Sequence, residues 1–386
     1  MKKILKASLY LFILVALVFA MLIITAIVTD YKPAETVEIY KAKSSDTISD
    51  TLEFNIVNWN IGYCGLDASM DFFYDGGTHV RPSEEHVIEN LKSVISFLNT
   101  QENIDFFLLQ EVDKKSKRSY KINQYDSIQN TFSNYHSFFG KNYDVFFVPT
   151  PPTEPYGKVV SGLMTLSKFN PVEVVRHQFP GNYGFPKGLF MLDRCFLVSR
   201  IPVSNDKQLL LINTHNSAYD DGSLKTGQMT YLKEFLLTEY EKGNYIVVGG
   251  DWNQCPPDVE TSFADFHFDT KNFSRIDKDY LPSDWKWVFS NKTPTNRRVA
   301  APYDKNTSVT TVIDFFLISP NVENLAIENI NLDFKNSDHQ PVKARFRLKN
   351  LTFRSLTPAT SQSPRHSAGR PAIQRDAHDF MRFISC

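Results

Sequence analysis

Six apolar runs in this chain end in, or carry, acids, amides or imidazoles. "FNIVNWN" closes on Asn58 and Asn60, "DFFLLQEVD" on Gln110, Glu111 and Asp113, and "LLLINTHN" on Asn213, His215 and Asn216. "IVVGGDWN" delivers Asp251 and Asn253, "TVIDFF" holds Asp314 within an apolar run, and "NSDHQPV" sets Asp338 beside His339. Any one of these alone is ordinary, since Asn at a strand end is usually a turn former. Asp314 differs: a carboxylate between Ile313 and Phe315 costs several kcal/mol if buried without a donor, and a histidine is a natural donor. Carboxylate and amide oxygens without thiolates make a hard-oxygen set suited to Mg²⁺, Mn²⁺ or Ca²⁺. Two histidines add an acid and a base near neutral pH, one with its tautomer fixed by Asp314. A hard divalent ion with such a pair fits hydrolysis at phosphorus.

Positioning these groups requires strands that end on one side of a sheet, where ligand sites of open α/β sheets gather. The first five of these runs, with "GLMTLS" and "CFLVSRIPV", have strand length and are rich in β-branched and aromatic residues, and "NSDHQPV" leads into the strand-like "VKARFRL". "CFLVSRIPV" and "QLLLINTHN" are separated by Ser204 to Lys207, which reads as a hairpin. Val87, Ile88, Leu91, Val94, Ile95 and Leu98 recur at helical spacing behind Ser83 as N-cap, and Met229, Leu232, Phe235 and Leu236 do so ahead of Gly243 as a stop. The mixture predicts a layered α/β sandwich at residues 51–349.

At 386 residues with 42% apolar side chains the chain can bury a large core. The net charge of −1 is uneven: Lys2, Lys3 and Lys6 lead the chain, and five Arg against two Asp close it, which leaves residues 7–350 at −7. So acidic a body is poorly suited to nonspecific grip on nucleic acid. Cys64, Cys195, Cys255 and Cys386 fit no zinc spacing. A Cys64–Cys255 disulfide is conceivable, with two thiols the reading adopted. Residues 8–28 hold twenty-one residues without a charge, enough to cross a bilayer, and no good cleavage site follows. Residues 1–29 are therefore expected to be a single-pass anchor with its N-terminus cytoplasmic and the rest of the chain extracytoplasmic. Residues 30–50 read as a polar linker and 350–386 as a disordered tail.

In order along the chain, "NWNIG", "LLQEVD", "GLMTLSK", "LINTHN", "GGDWN", "IDFFLIS" and "SDHQPV" resemble the endonuclease/exonuclease/phosphatase superfamily, over roughly 52–348. Its members include deoxyribonuclease, abasic-site endonucleases, deadenylases, inositol polyphosphate 5-phosphatases and neutral sphingomyelinases. The resemblance implies a four-layer α/β sandwich, two packed β-sheets flanked by helices. It further implies Glu111 as principal metal ligand with Asn60 and Asp338 in support, Asp251 aligning the nucleophilic water, and Asn253 on a phosphate oxygen. His339, oriented by Asp314, looks like general base or phosphate stabiliser, and His215 like the histidine that protonates the leaving group.

The 5-phosphatase pattern is absent, since Gln254 follows Asn253 and no Arg adjoins Asp314. The anchor then favours a Mg²⁺-dependent phosphodiesterase, sphingomyelinase-like and monomeric, acting on a phospholipid head group. The alternative is an extracytoplasmic nuclease on DNA or RNA, and a binding protein without turnover is the third reading. Arg81, Arg297 and Arg298 are candidate substrate-phosphate contacts. Phe72, Phe73 and Tyr74, or Trp285, Trp287 and Phe289, either dip into lipid or pack loop against core.

Overall fold

Alternation along the central strands sends successive side chains to opposite faces, and two sheets stacked on one apolar face are the result. The computed structural model describes residues 2–218, 222–259, 267–268 and 274–349; the expected tail, with Cys386, lies outside them. Among the described residues one sheet runs β1 (Thr36–Lys41), β6 (Glu173–Gln178), β7 (Cys195–Pro202), β8 (Gln208–His215), β9 (Tyr245–Asp251), β14 (Asp314–Ile318), β11 (Lys286–Val288). The other runs β15 (Val322–Asn329), β16 (Val342–Leu348), β2 (Glu53–Asn60), β3 (Phe106–Asp113), β5 (Gly157–Ser167), β4 (His136–Val148). Short strands β10 (His267–Phe268), β13 (Val309–Thr311) and β12 (Asn296–Arg297) form a third, small sheet.

Phe54, Ile56, Phe106, Leu108, Leu211, Val247 and Phe316 fill the space between the two large sheets. On the outer face of the second sheet, Val57, Trp59, Phe107 and Leu109 pack against Val87, Leu91, Val94 and Leu98 of α2 (Glu84–Thr100) and against Ile128 of α3 (Gln124–Thr131). On the outer face of the first, Leu210, Ile212, Ile246 and Val248 pack against Met229, Leu232 and Leu236 of α4 (Ser223–Glu241). Each fully buried Leu, Val or Phe contributes about 1.5–3 kcal/mol. The result is the expected four-layer sandwich. Ser83 caps α2 by accepting from His86 N at 3.3 Å, and α4 stops at Gly243, whose φ of +84° suits glycine. The β7–β8 hairpin is antiparallel, as its turn residues predict.

Arg200 on β7 clamps Glu239 on α4 with two hydrogen bonds of 2.9 Å. Burial opposes the charge, but the bonds from Arg200 and Lys242 outweigh it and hold the Glu239 carboxyl down at about 2, from an ordinary 4.5. A depressed acid stabilises the fold above its ordinary pKa, and that gain is lost as pH falls from 4.5 towards 2. Glu239→Gln is therefore expected to lower the melting temperature at pH 7 by several degrees, with the gap to the parent closing across that window in pH-resolved thermal melts.

Two expectations are corrected. Residues 30–50 are not only a tether: "TVEIYK" is an edge strand, β1, paired antiparallel with β6, and buried Ile48 bridges to Val203. An edge strand keeps a polar face, which is why this stretch looks like linker in sequence. Trp285, Trp287 and Phe289 belong to the core under α4, with Trp287 edge-on to Trp252 at 5.4 Å, so they do not reach for lipid. Cys64 lies in the α2 core and Cys255 in the α4 core, and no disulfide forms among the described residues. Ahead of the sandwich, α1 (Lys2–Thr29) is long and apolar enough to cross a membrane, a test that signal sequences also pass.

Candidate active site

The parallel pairs β2–β3 and β8–β9 end on the same side of the sandwich, and their last residues converge there. Asn60 is the junction: its Nδ2 lies 3.0 Å from Asp251 Oδ2, 3.4 Å from Glu111 Oε1 and 3.4 Å from His339 Nε2. His215 Nε2 is 3.3 Å from the same Asp251 oxygen, and Asp314 stands in register opposite Asp251 on β14. Residues that are distant in sequence, on both sheets, thus share one cleft.

Local backbone devices make this possible. The β3–β5 register shifts between Leu109 and Val112, and Glu111 takes a left-handed φ of +56°. Val112 therefore replaces Glu111 on the helix face, and the carboxylate turns to the cleft, where it is 23% exposed. Arg118 holds it: the guanidinium pairs with Asp113 at 2.9 and 3.0 Å, donates to Tyr156 OH at 3.0 Å, stacks 3.8 Å over Tyr63 and reaches Glu111 Oε2 at 3.6 Å. Asn253 is also left-handed, φ +50°, with its N–H on Asp251 Oδ1 at 2.9 Å and its amide donating to Asn216 O at 2.9 Å. Trp252, stacked on Phe315, pins that turn.

Beneath the cleft, Gln110 Nε2 donates to Asn58 Oδ1 at 2.8 Å and Asn213 Oδ1 at 2.7 Å, and Asn58 donates to Gly250 O, which laces the two sheets together. These three amides are scaffold rather than cleft groups. Gly250 is obligatory: a Cβ there would lie 2.0 Å from the Thr214 carbonyl oxygen. Gly250→Ala is expected to cost several degrees of melting temperature and most of the activity, because β8 and β9, which carry His215 and Asp251, must separate.

In the "SDHQP" loop, Ser337 and Gln340 bond backbone, at Asn60 O and Pro294 O, while Asp338 and His339 face the cleft. Trp59 Nε1 holds the His339 carbonyl at 2.9 Å. His339 Nδ1 sits 2.7 Å from Asp314 Oδ2. A carboxylate only accepts, so Nδ1 carries the proton and Nε2 is left to accept from Asn296 Nδ2 at 3.0 Å. Burial disfavours a second proton on this ring, but Asp314, Asp338 and Asp251 outweigh it and raise the imidazole well above its ordinary pKa. His215 goes the other way: burial first, then the charges of Arg194 and His339, hold it well below, hence neutral. Burial and the neighbouring Glu111 push Asp338 up to about 7 against His339 and Arg297.

The donors suit a hard cation. They are oxygens and imidazoles with no thiolate, and the crowding of Glu111 and Asp338 carboxyls is the charge arrangement such an ion relieves. Asp251, Asp314 and His339 also offer buried ligand atoms within 4.8 Å of one another.

Of the arginines, Arg297 is buried and donates to the Asp67 and Ala301 carbonyls, so its charge stabilises loops instead of meeting substrate. Arg81 pairs with Glu154 at 2.9 Å, and Arg298 donates to Asp75 O. Sequence reasoning missed Arg118, Asn296, Trp59 and Arg194. Arg194 precedes β7 opposite the end of β8, and its charge acts on Glu111, Asp251 and His215. Its buried Nη1 has no hydrogen-bond partner among the described residues.

Compared with known proteins, residues 57–339 match the model of the Endonuclease/Exonuclease/phosphatase family. A comparison with curated proteins finds no match. Among solved structures, the endonuclease/exonuclease/phosphatase from Beutenbergia cavernae DSM 12333 is 18% identical, with 77% of this chain and 72% of that one covered at a TM-score of 0.49. ANGEL2, a 2',3'-cyclic phosphatase, is 17% identical, with 80% and 99% covered at 0.49. The human Nocturnin catalytic domain with bound sulfate anion is 13% identical, with 79% and 97% covered at 0.49.

Proposed function

The chain belongs to the endonuclease/exonuclease/phosphatase family, a hydrolase of phosphoester bonds, and from that premise we propose a membrane-anchored, Mg²⁺-dependent phosphodiesterase that cleaves a phospholipid head group. The observation that carries the site is the meeting of Glu111, Asp251 and His339 on the single amide of Asn60. Glu111, Asn60 and Asp338 would hold the ion, which when bound would supply neutralisation of charge on the phosphoryl oxygens.

This chain's own groups do the rest. Asp314 keeps the proton of the neutral His339 ring on Nδ1, so Nε2 is the base that takes a proton from the attacking water. Because the neighbouring acids raise this imidazole, the ring is doubly protonated at low pH and the base becomes available as pH rises. Asp251, held by Asn60, Asn253 and His215, aligns that water, and the Asn253 and Arg194 donors bind phosphoryl oxygens. His215, held neutral by burial and Arg194, keeps its one N–H on Asp251 through Nε2 and so positions that carboxylate. The leaving oxygen then takes its proton from water, which differs from the acid role that the resemblance implies. The apolar α1 supports a bilayer substrate, because tethering raises effective concentration. Lysines in the first turns of α1, ahead of its uncharged stretch, and acids after it support a cytoplasmic N-terminus and an extracytoplasmic domain.

The test is the full chain in mixed micelles with sphingomyelin or phosphatidylcholine, with Mg²⁺ or with chelator. Release of phosphorylated head group that chelator stops is the expected result. Plasmid nicking with lipid untouched would favour the nuclease reading, and a lack of both would refute the proposal.

A further inference from the structure

The last turn of α1 is not free of the domain. Ala26, the buried residue of this helix, and Thr29 line one crevice with Val145 and Phe146 of β4 and with Leu189 of the turn Lys187–Phe190. Two residues on, the Tyr31 ring receives the Lys141 ammonium at 3.8 Å. Groups that touch the final turn of a membrane-spanning helix lie at the membrane surface, since the span ends there. Two large apolar side chains beside this contact face outward: Phe146 is 51% exposed and Phe185, in the loop that leads to Leu189, is 73% exposed. Outward apolar side chains at that depth can bury into the headgroup and acyl boundary, as Phe and Leu do on interfacial helices.

The same elements wall the active site. Val145 shares a small core with Tyr143, Tyr156, Tyr63 and Phe190, and Tyr143 OH donates to Phe190 O at 3.0 Å. Tyr156 and Tyr63 hold Arg118, and Arg118 holds Glu111. A chain of packed side chains, Val145 with Tyr143, Tyr156 and Tyr63 and then Arg118, thus links the end of α1 to the Glu111 carboxylate.

We propose that this rim, Phe146 and Phe185 with Leu189 beneath the end of α1, is a bilayer-contacting surface that sets the cleft at the headgroup level of the membrane that α1 spans. It rests on α1 as a span and deepens the phospholipid reading: the substrate is taken from the same leaflet, without leaving it. A phosphodiester free in water has no need of this surface.

The test uses the full chain reconstituted in phosphatidylcholine vesicles containing sphingomyelin. Phe146→Trp and Phe185→Trp report depth through quenching by brominated phosphatidylcholine, measured against the parent's buried tryptophans. Clear extra quenching in both is expected. In the double variant F146D/F185D, hydrolysis of vesicle lipid is expected to fall at least tenfold, while hydrolysis of water-soluble bis(p-nitrophenyl) phosphate stays within twofold of the parent. Unquenched tryptophans, or equal losses on both substrates, overturn the surface. Quenched tryptophans with no lipid hydrolysis by the parent leave the surface standing and remove the phospholipid reading.

Discussion

A Glu111→Gln variant keeps its melting temperature within a few degrees and loses about 10³-fold in kcat on a soluble phosphodiester. The size follows from the charge: an ion that supplies several kcal/mol of transition-state stabilisation is lost with its carboxylate ligand, and ~4 kcal/mol is about 10³ in rate. The fold survives because Glu111 is not what holds β3. Arg118 keeps its two bonds to Asp113 and its stacking on Tyr63 whatever stands at 111. A fall in kcat with little change in melting temperature separates a cleft role from a structural one, and full activity in this variant would remove Glu111 from the site.

Asp314→Asn tests the second half. The Asn amide can donate to Nδ1, which moves the His339 proton to Nε2, the atom that must accept one. Loss of general-base catalysis is expected to lower kcat by about 10²–10⁴-fold. The substitution also removes a negative charge that raises the imidazole, so the residual activity should respond to pH at lower values than in the parent. A variant of unchanged rate and pH profile would show that Asp314 and His339 form a structural pair. Asp314 is fully buried in an apolar strand, so both proteins need thermal melts alongside the kinetics.

The motifs at strand ends were legible because they combine two patterns that rarely coincide: an apolar run of strand length and an oxygen or imidazole donor at its end. Asn60, Glu111 and Asp251 stand at such ends, Asp314 within an apolar run and His339 just ahead of one, and all meet in the cleft. The same pattern over-counted at Asn58, Gln110 and Asn213, since a buried amide that laces two sheets looks in sequence like one that faces a ligand. Arg118, Arg194 and Asn296 were illegible for the opposite reason. Arg118 lies on a single 3₁₀ turn (Lys117–Ser119), Arg194 on a loop and Asn296 on a two-residue strand, none with a periodicity to read, and only the folded chain brings them near Glu111 or His339. Arg297 was misassigned because its charge suggested phosphate while its partners are backbone carbonyls. β4 was missed because Gly140, Lys141, Asn142 and Asp144 interrupt its aromatic run, and two register shifts break the alternation that marks a strand.

The central claim is that groups from both sheets close around a hard cation, with Glu111 its main ligand. Mn²⁺ binding to the full chain, followed by electron paramagnetic resonance, tests this without reference to any substrate. The account predicts saturable binding by the parent and at least 100-fold weaker binding by Glu111→Gln. Equal affinity in the two proteins would contradict it.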